Sequence, residues 1–88
     1  MSESTPGAVT GRVLDGAGAP VGGAAVAVVG SDGPHRDIAA RTAEDGSFRL
    51  GGLPTGPVVL EARKGGTSGS AHVEVSGGVA VPVEIRIG

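Results

Sequence analysis

The amino-acid sequence predicts an all-β protein, a seven-stranded β-sandwich. Short apolar runs alternate with polar residues at a period of two, which is the period of a β-strand with one buried face. Gly, Pro and Asp separate these runs at intervals of about 8–12 residues, a spacing typical of a sandwich. No stretch of the 88 residues keeps a helical period long enough to predict a helix.

The first four predicted strands follow one another along the chain. The first spans Ala8 to Asp15, and the second is the small-residue run Ala24 to Val29, which we expect to be buried on both faces. The third covers Ile38 to Thr42. Asp45-Gly46 favours a tight turn with positive φ, so we expect a hairpin between strand three and strand four, Ser47 to Leu50.

Three further strands complete the predicted sandwich. Strand five, Val58 to Arg63, is followed by a polar loop, Gly65 to Ser70, and by strand six, His72 to Ser76. The last strand has the plainest alternation. Pro82 within it has no N–H to donate to a ladder, so we predict an edge strand there. Its inward residues are expected to be Val79, Val81, Val83, Ile85 and Ile87.

Three large apolar residues are the predicted core anchors. Phe48 is the only aromatic residue of the chain, and it shares a strand face with Leu50. Leu60 occupies the equivalent face of strand five. In a chain with one Phe and no Tyr or Trp, a ring in this pattern is expected to fill the core rather than to bind a ligand.

The composition limits the function classes. Residues 8–88 are expected to form one domain after a flexible tail, residues 1–7. The chain has no cysteine and a net charge of -2, and it lacks the basic cluster and the aromatic platform of a nucleic-acid-binding protein. No apolar run reaches the ~18 residues of a membrane helix.

The start of the chain is polar and lacks the pattern of a signal peptide. If the chain is complete, it is expected in the cytoplasm. If it is a domain excised from a larger protein, an extracytoplasmic location is expected instead.

Asp15, Glu44 and Asp45 are the candidate metal ligands. If they meet at one end of the sandwich, their carboxylates offer the oxygen ligands that Ca²⁺ prefers. The alternation of Asp and Asn typical of dedicated calcium loops is absent. We therefore predict that Asp45 supports its turn, that Glu44 is solvated, and that the protein holds no metal or other cofactor.

No residue pattern predicts catalysis. Gly51 and Gly56 have phosphate-loop spacing, but Pro57-Val58 follows where Lys and Ser or Thr are needed. His35 and His72 have no second ligand at metal-binding spacing and are predicted to be surface residues.

Blocks of sequence distributed over almost the whole chain after residue 7 carry a resemblance to a known family. They are Gly11-Arg12-Val13-Leu14-Asp15, Gly18-Ala19-Pro20-Val21, Gly23-Ala24-Ala25-Val26, Thr42, Asp45-Gly46-Ser47-Phe48, Leu50, Gly52-Leu53-Pro54-Thr55-Gly56 and Leu60. Together they resemble the carboxypeptidase regulatory-like domain. The resemblance implies an Ig-like, transthyretin-like β-sandwich of Greek-key type, and a non-catalytic module of the kind appended to peptidases and surface proteins.

The sequence departs from the family and from two related groups. The family usually has Tyr where Val58 stands and often an aromatic residue near Gly66. Compared with 5-hydroxyisourate hydrolase, Arg12 replaces a catalytic His and the C-terminal Tyr-Arg-Gly-Ser signature is absent. The surface-adhesin repeats often carry a Lys–Asn isopeptide bond, whereas this chain has Lys64 as its only lysine and no Asn.

We therefore predict a non-catalytic module for protein–protein contact or structural scaffolding, whose exposed last strand is a candidate edge for a partner strand. The partner is expected to be a protein, and the chain a monomer or a weak edge-strand dimer. The alternative function is carbohydrate or small-ligand binding by two loops at one end, Ser31 to Arg36 and Gly65 to Ser70. A transthyretin-related hydrolase is the third possibility.

Overall fold

A computed structural model describes residues 6–31 and 39–88 of the chain. These residues form seven strands in two sheets and no helix, which confirms the predicted β-sandwich. The predicted tail lies outside the described residues except for Pro6 and Gly7. The strands are β1 (Gly7–Leu14), β2 (Ala25–Ser31), β3 (Ala39–Arg41), β4 (Ser47–Leu53), β5 (Gly56–Lys64), β6 (Thr67–Val75) and β7 (Ala80–Arg86).

The two sheets have different strand pairings. The first sheet has the order β4-β1-β7, in which β1 is antiparallel to β4 and parallel to β7. The second has the order β3-β2-β5-β6, with every pair antiparallel. The chain changes sheet after β1, β3, β4 and β6. The described strands therefore leave four sheet edges: β4, β7, β3 and β6.

The inward side chains of both sheets form one apolar core. Phe48 and Leu50 enter it from β4 and Leu60 enters it from β5, and Phe48 is only 6% exposed. Val58, where the family usually has Tyr, is also buried on β5. Burying a side chain of this size stabilises a fold by about 1.5–3 kcal/mol. Most of the remaining core is Val, Ile and Ala, so the sheets are held by many small contacts.

Thr42 is the only buried polar residue of the part that the structure describes, at 6% exposure. Its hydroxyl donates to the Val21 carbonyl at 2.6 Å and accepts from the Ala24 N–H at 2.9 Å. Its own N–H donates to the Ala24 carbonyl, and its carbonyl accepts from Gly23 N–H. A buried polar group is stable only when it is hydrogen-bonded. Thr42 therefore fixes the β1–β2 connection against the end of β3.

The Asp45-Gly46 turn is present, but the predicted hairpin is wrong. Gly46 has φ +79°, and its N–H donates to the Ala43 carbonyl at 2.8 Å. The two flanking strands, β3 and β4, belong to different sheets. The turn is held instead by β1, because the Val13 N–H donates to the Gly46 carbonyl. The Asp45-Gly46 sequence predicts the turn but not the sheet to which each flanking strand belongs.

Three other expectations differ from the structure. The second strand is buried on one face only, because Val29 on β2 is 54% exposed. Val79 is also 54% exposed and precedes β7 instead of facing the core. The predicted loop Gly65 to Ser70 is a two-residue turn, Gly65-Gly66, and the start of β6. This part of β6 has the Thr, Ser and Gly composition of a loop because its outward residues are exposed to solvent.

The prediction of an edge strand at Pro82 is confirmed. β7 lies at the margin of its sheet, and two hydrogen bonds fix which of its residues face β1. The Ala8 N–H donates to the Val79 carbonyl and the Ile87 N–H to the Leu14 carbonyl. In a parallel pair, alternate residues face the same neighbour. Pro82 therefore faces outward, where its missing N–H costs no ladder bond.

Replacing Thr42 by Val keeps the shape of the side chain and removes its hydroxyl. The buried Ala24 N–H then loses its partner, which costs about 1–3 kcal/mol. For a domain of this size each kcal/mol lowers the melting temperature by about 4–8 °C. Thr42→Ser, which keeps the hydroxyl and loses the methyl group, is the control. A Thr42→Val variant that melts at or above the temperature of Thr42→Ser would show that the hydroxyl contributes no more than the methyl group.

Candidate functional site

Asp15, the first candidate metal ligand, uses its carboxylate within its own turn. Its Oδ1 accepts hydrogen bonds from Ala17 N–H and Ala19 N–H, both at 2.9 Å. Its main chain closes the same turn, since the Asp15 N–H donates to the Ala19 carbonyl. An Asp side chain that bonds to backbone groups a few residues on is a turn-forming device. The arrangement accounts for Asp15 without a ligand.

Asp45 and Glu44 lie in the turn before β4, and both are exposed. Oδ1 of Asp45 accepts from the hydroxyl of Ser47 at 2.6 Å and from the Ser47 N–H at 3.0 Å. These two bonds, with a smaller contribution from Arg12, lower the pKa of Asp45 below its ordinary value. The carboxylate thus stabilises the turn that β1 holds in place.

Asp15 and Asp45 do come to the same end of the sandwich, since β1 ends next to the turn that begins β4. No group of three or more His, Cys, Asp or Glu side chains is arranged to hold a metal ion among residues 6–31 and 39–88. Asp15 Oδ1 and Asp45 Oδ1 each accept hydrogen bonds from backbone N–H groups of their own turn. The geometry favours two separate turn supports over one calcium site.

The described parts of the two predicted ligand-site loops lie at opposite ends of the second sheet. Ser31, at the end of β2, pairs with Val58 at the start of β5, whereas Gly65 follows Lys64 at the other end of β5. The strand from Val58 to Lys64 spans about 20 Å. The described residues of these loops therefore do not meet at one end. Residues 32–36 of the first loop, including His35, lie outside the described residues.

Two other residues considered from the sequence have plain surroundings. His72 is exposed on the outer face of β6, as predicted for a surface histidine. Lys64 donates from Nζ to the Gly22 carbonyl at 2.9 Å. This bond ties the end of β5 to the connection between β1 and β2. Among residues 6–31 and 39–88, neither is joined by a second His, Cys, Asp or Glu in a group that could hold a metal ion.

One surface depression among the described residues lies at the outer face of the first sheet and has a volume of about 420 Å³. Its lining is mostly glycine, alanine and proline, and Arg49 is its one charged residue. Binding sites for small molecules combine apolar walls with several convergent polar groups. One guanidinium beside glycines does not meet that description.

Three of the four sheet edges are closed to an added strand. β3 has three described residues, Ala39–Arg41. On β4, the outward N–H and C=O of Ser47 bond to Asp45 and Ala43, and a bulge with positive φ at Gly52 interrupts the other half of the strand. Between these two interruptions, the outward backbone groups of Arg49 remain open. Short strands and bulges of this kind limit edge pairing.

The β7 edge is closed in a different way. Pro82 removes one outward donor in the middle of the strand. Further along, the Arg86 carbonyl lies so close to Gly69 of β6 that a Cβ at position 69 would collide with it. The end of β7 is therefore covered by the inner surface of β6, and Gly69 permits that approach because it has no side chain.

In the part of the chain that the structure describes, the β6 edge is open along its length. The two-residue turn Gly65-Gly66 makes Lys64 and Thr67 a hydrogen-bonded pair, and the register with β5 continues to Val75 without a shift. Alternate residues of β6 therefore bond to β5, and the others direct their N–H and C=O groups outward. The residues whose groups face outward are Ser68, Ser70, His72 and Glu74. Within the described residues no hydrogen bond involves these outward groups.

A sandwich with turn-supporting carboxylates and one open edge is the architecture of a structural or binding module. The chain belongs to the carboxypeptidase regulatory-like domain family, whose sequence profile matches residues 8–88. Domains of this family are commonly non-catalytic modules. No curated protein matches the sequence. The structure has no helix, within the part described, that is long and apolar enough to cross a membrane.

The sequence predicts the candidate edge on the last strand, and of β6 it predicts only the second half, His72 to Ser76. The signal that identifies β6 is present in the sequence as Val73 and Val75 alternating with His72 and Glu74. It fades toward Thr67 because Gly69 and Ala71 occupy the inward positions there. Small inward residues remove the apolar half of the alternation, and the segment then has the composition of a loop.

The lowered pKa of Asp45 predicts how stability depends on pH. A group whose pKa is lower in the folded state stabilises the fold above its unfolded pKa, near 3.8, and this contribution is lost as the pH falls through the lower, folded value. Asp45→Asn should therefore make unfolding free energy less dependent on pH below about 4. Ser47→Ala, which removes a hydroxyl donor to Asp45, should have the same effect in part. Denaturant titrations across acid pH measure both, and an unchanged pH dependence for Asp45→Asn would contradict the assignment.

Proposed function

We propose that this domain is a non-catalytic module that makes protein–protein contacts through the open edge of β6. The observation that carries the proposal is the row of outward N–H and C=O groups on Ser68, Ser70, His72 and Glu74. Unpaired edge groups are a template for another extended chain. Such β-augmentation gives affinity through main-chain hydrogen bonds and specificity through alternate side chains.

The conformation of β6 supports this role. The strand has nine residues, contains no proline and shows no bulge in its pairing with β5. β5 is paired on its other side by β2, so the β6 backbone is held by an interior strand. A partner chain would meet an edge that is already extended. The ordering cost on this side of the contact would be small, which favours binding.

The side chains that first suggested chemistry support the same proposal. The Asp15 and Asp45 carboxylates bond to their own turns. These bonds stiffen the end of the sandwich opposite the Ser31 end of β2. A rigid scaffold that presents one free edge agrees with the family's common use as an accessory module.

Replacing Ser70 by Pro tests the edge. Residue 70 faces outward, as Pro82 does on β7, so proline there removes an outward N–H and leaves the bonds to β5 in place. Ser70→Ala keeps the N–H and is the matched control. Immobilised wild-type protein and Ser70→Ala should retain the same protein partners, whether other proteins or untagged copies of the chain, and Ser70→Pro should lose them.

Circular dichroism and thermal melting establish that Ser70→Pro is folded before its binding is compared. Retention of every partner by a folded Ser70→Pro variant would place the contact elsewhere on the surface. Retention of no partner by the wild-type protein would contradict a contact role.

A further inference from the structure

We infer that the partner of the β6 edge is a second copy of this chain, paired antiparallel about Ala71 to form one continuous eight-stranded sheet. The inference rests on the proposed function and names the occupant of the edge. A two-fold axis at Ala71 brings all nine residues of β6 opposite those of the second copy. Pairing of the same patch on both subunits is the usual geometry of a two-fold dimer.

The register about Ala71 uses every open group. It places Ser68 opposite Glu74 of the second copy and Ser70 opposite His72 of the second copy, with the same two pairs repeated across the axis. All four of these residues direct N–H and C=O groups outward, so each pair exchanges two hydrogen bonds. Within the strand, a shift of the axis to a neighbouring position leaves some of these groups unpaired.

Charges on the outer face select the same register. Within the second sheet Arg63 pairs with Ser68 and Glu61 pairs with Ser70. In the dimer, Glu74 of the second copy therefore lies beyond Ser68 in the row that contains Arg63. His72 of the second copy lies beyond Ser70 in the row that contains Glu61. Arg63 bonds Glu61 at 2.9 Å, and Glu74 has no ion pair among the described residues, so the dimer brings Glu74 toward a cation.

The small serine side chains at positions 68 and 70 allow the longer side chains on either side of them to approach each other. Neighbouring strands lie about 4.8 Å apart, so Arg63 and Glu74 of the second copy are separated by about two strand spacings. Both side chains are long, and the serine between them leaves room for them to approach. The exposed face of β6 is thus complementary to the β5–β6 surface of an identical chain.

The residues that β6 brings to the inner face of the seam are small at the axis. Ala71 meets its own copy at the axis, and Gly69 lies opposite Val73 of the second copy in this register. Gly69 and Ala71 are partly exposed although they face inward, because no strand pairs with the open edge of β6 and only the end of β7 lies against Gly69. A second copy would add Ala71 and Val73 beside them.

Substitution of Ser68 by Glu tests both the dimer and its register. Within one chain the introduced carboxylate would face Arg63, which favours the fold, but in the dimer it would face Glu74 of the second copy. Two such like-charge pairs should raise the dimer dissociation constant about 2- to 30-fold. The double variant S68E/E74K turns both contacts into opposite-charge pairs and should restore or tighten the dimer.

Analytical ultracentrifugation of the purified chain over a range of concentrations up to millimolar provides the measurement. We expect a monomer–dimer equilibrium in the wild-type protein, weakened by Ser68→Glu and restored by S68E/E74K. A monomer at every concentration would overturn the inference, and so would a dimer that Ser68→Glu leaves unchanged. If the chain stays monomeric while other proteins are captured in a manner that Ser70→Pro abolishes, this inference fails and the proposed function stands.

Discussion

The structure depends on one constraint: a strand at the edge of a sheet has every second N–H and C=O without a partner in that sheet. Two sheets of three and four strands leave four such edges. β3 is short, β4 ends in a hydrogen-bonded turn and a bulge, and β7 combines Pro82 with the cover that β6 provides at Gly69. Only β6, among the described strands, has none of these protections. The proposed contact surface follows from that difference.

Several residues of the family pattern provide hydrogen-bond partners for backbone N–H and C=O groups in the turns and connections. Thr42 satisfies the backbone where β3 leaves its sheet, and Gly46 lets the following turn pack on Val13. Asp15 and Asp45 close turns at the same end. A core built mainly from Val, Ile, Leu and Ala needs connections of this accuracy, because no large aromatic cluster holds the sheets together. Asp15 and Asp45, which resemble metal ligands in the sequence, support turns in the fold.

Much of the fold could be predicted from the sequence, and less of the surface. Alternation marked β1, β4, β5 and β7, and Phe48, Leu50 and Leu60 are buried where the pattern placed them. The sequence did not predict the sheet to which each strand belongs, because changes of sheet such as the one at Asp45-Gly46 depend on contacts with β1, which is distant in sequence. The open edge could not be predicted either, since it depends on which strands lack a neighbour in the sheet. Pro82 revealed one edge, but a proline marks an edge that is already protected.

Amide hydrogen exchange of the dilute, monomeric protein tests whether the β6 edge is open, since it reports each N–H of β6 separately. An open edge predicts alternation along the strand. The amides of Gly69, Ala71 and Val73, which bond to β5, should exchange slowly, and those of Ser68, Ser70, His72 and Glu74 should exchange at rates close to those of an unstructured chain. Slow exchange at all of these positions in the monomer would show that the β6 edge is already covered.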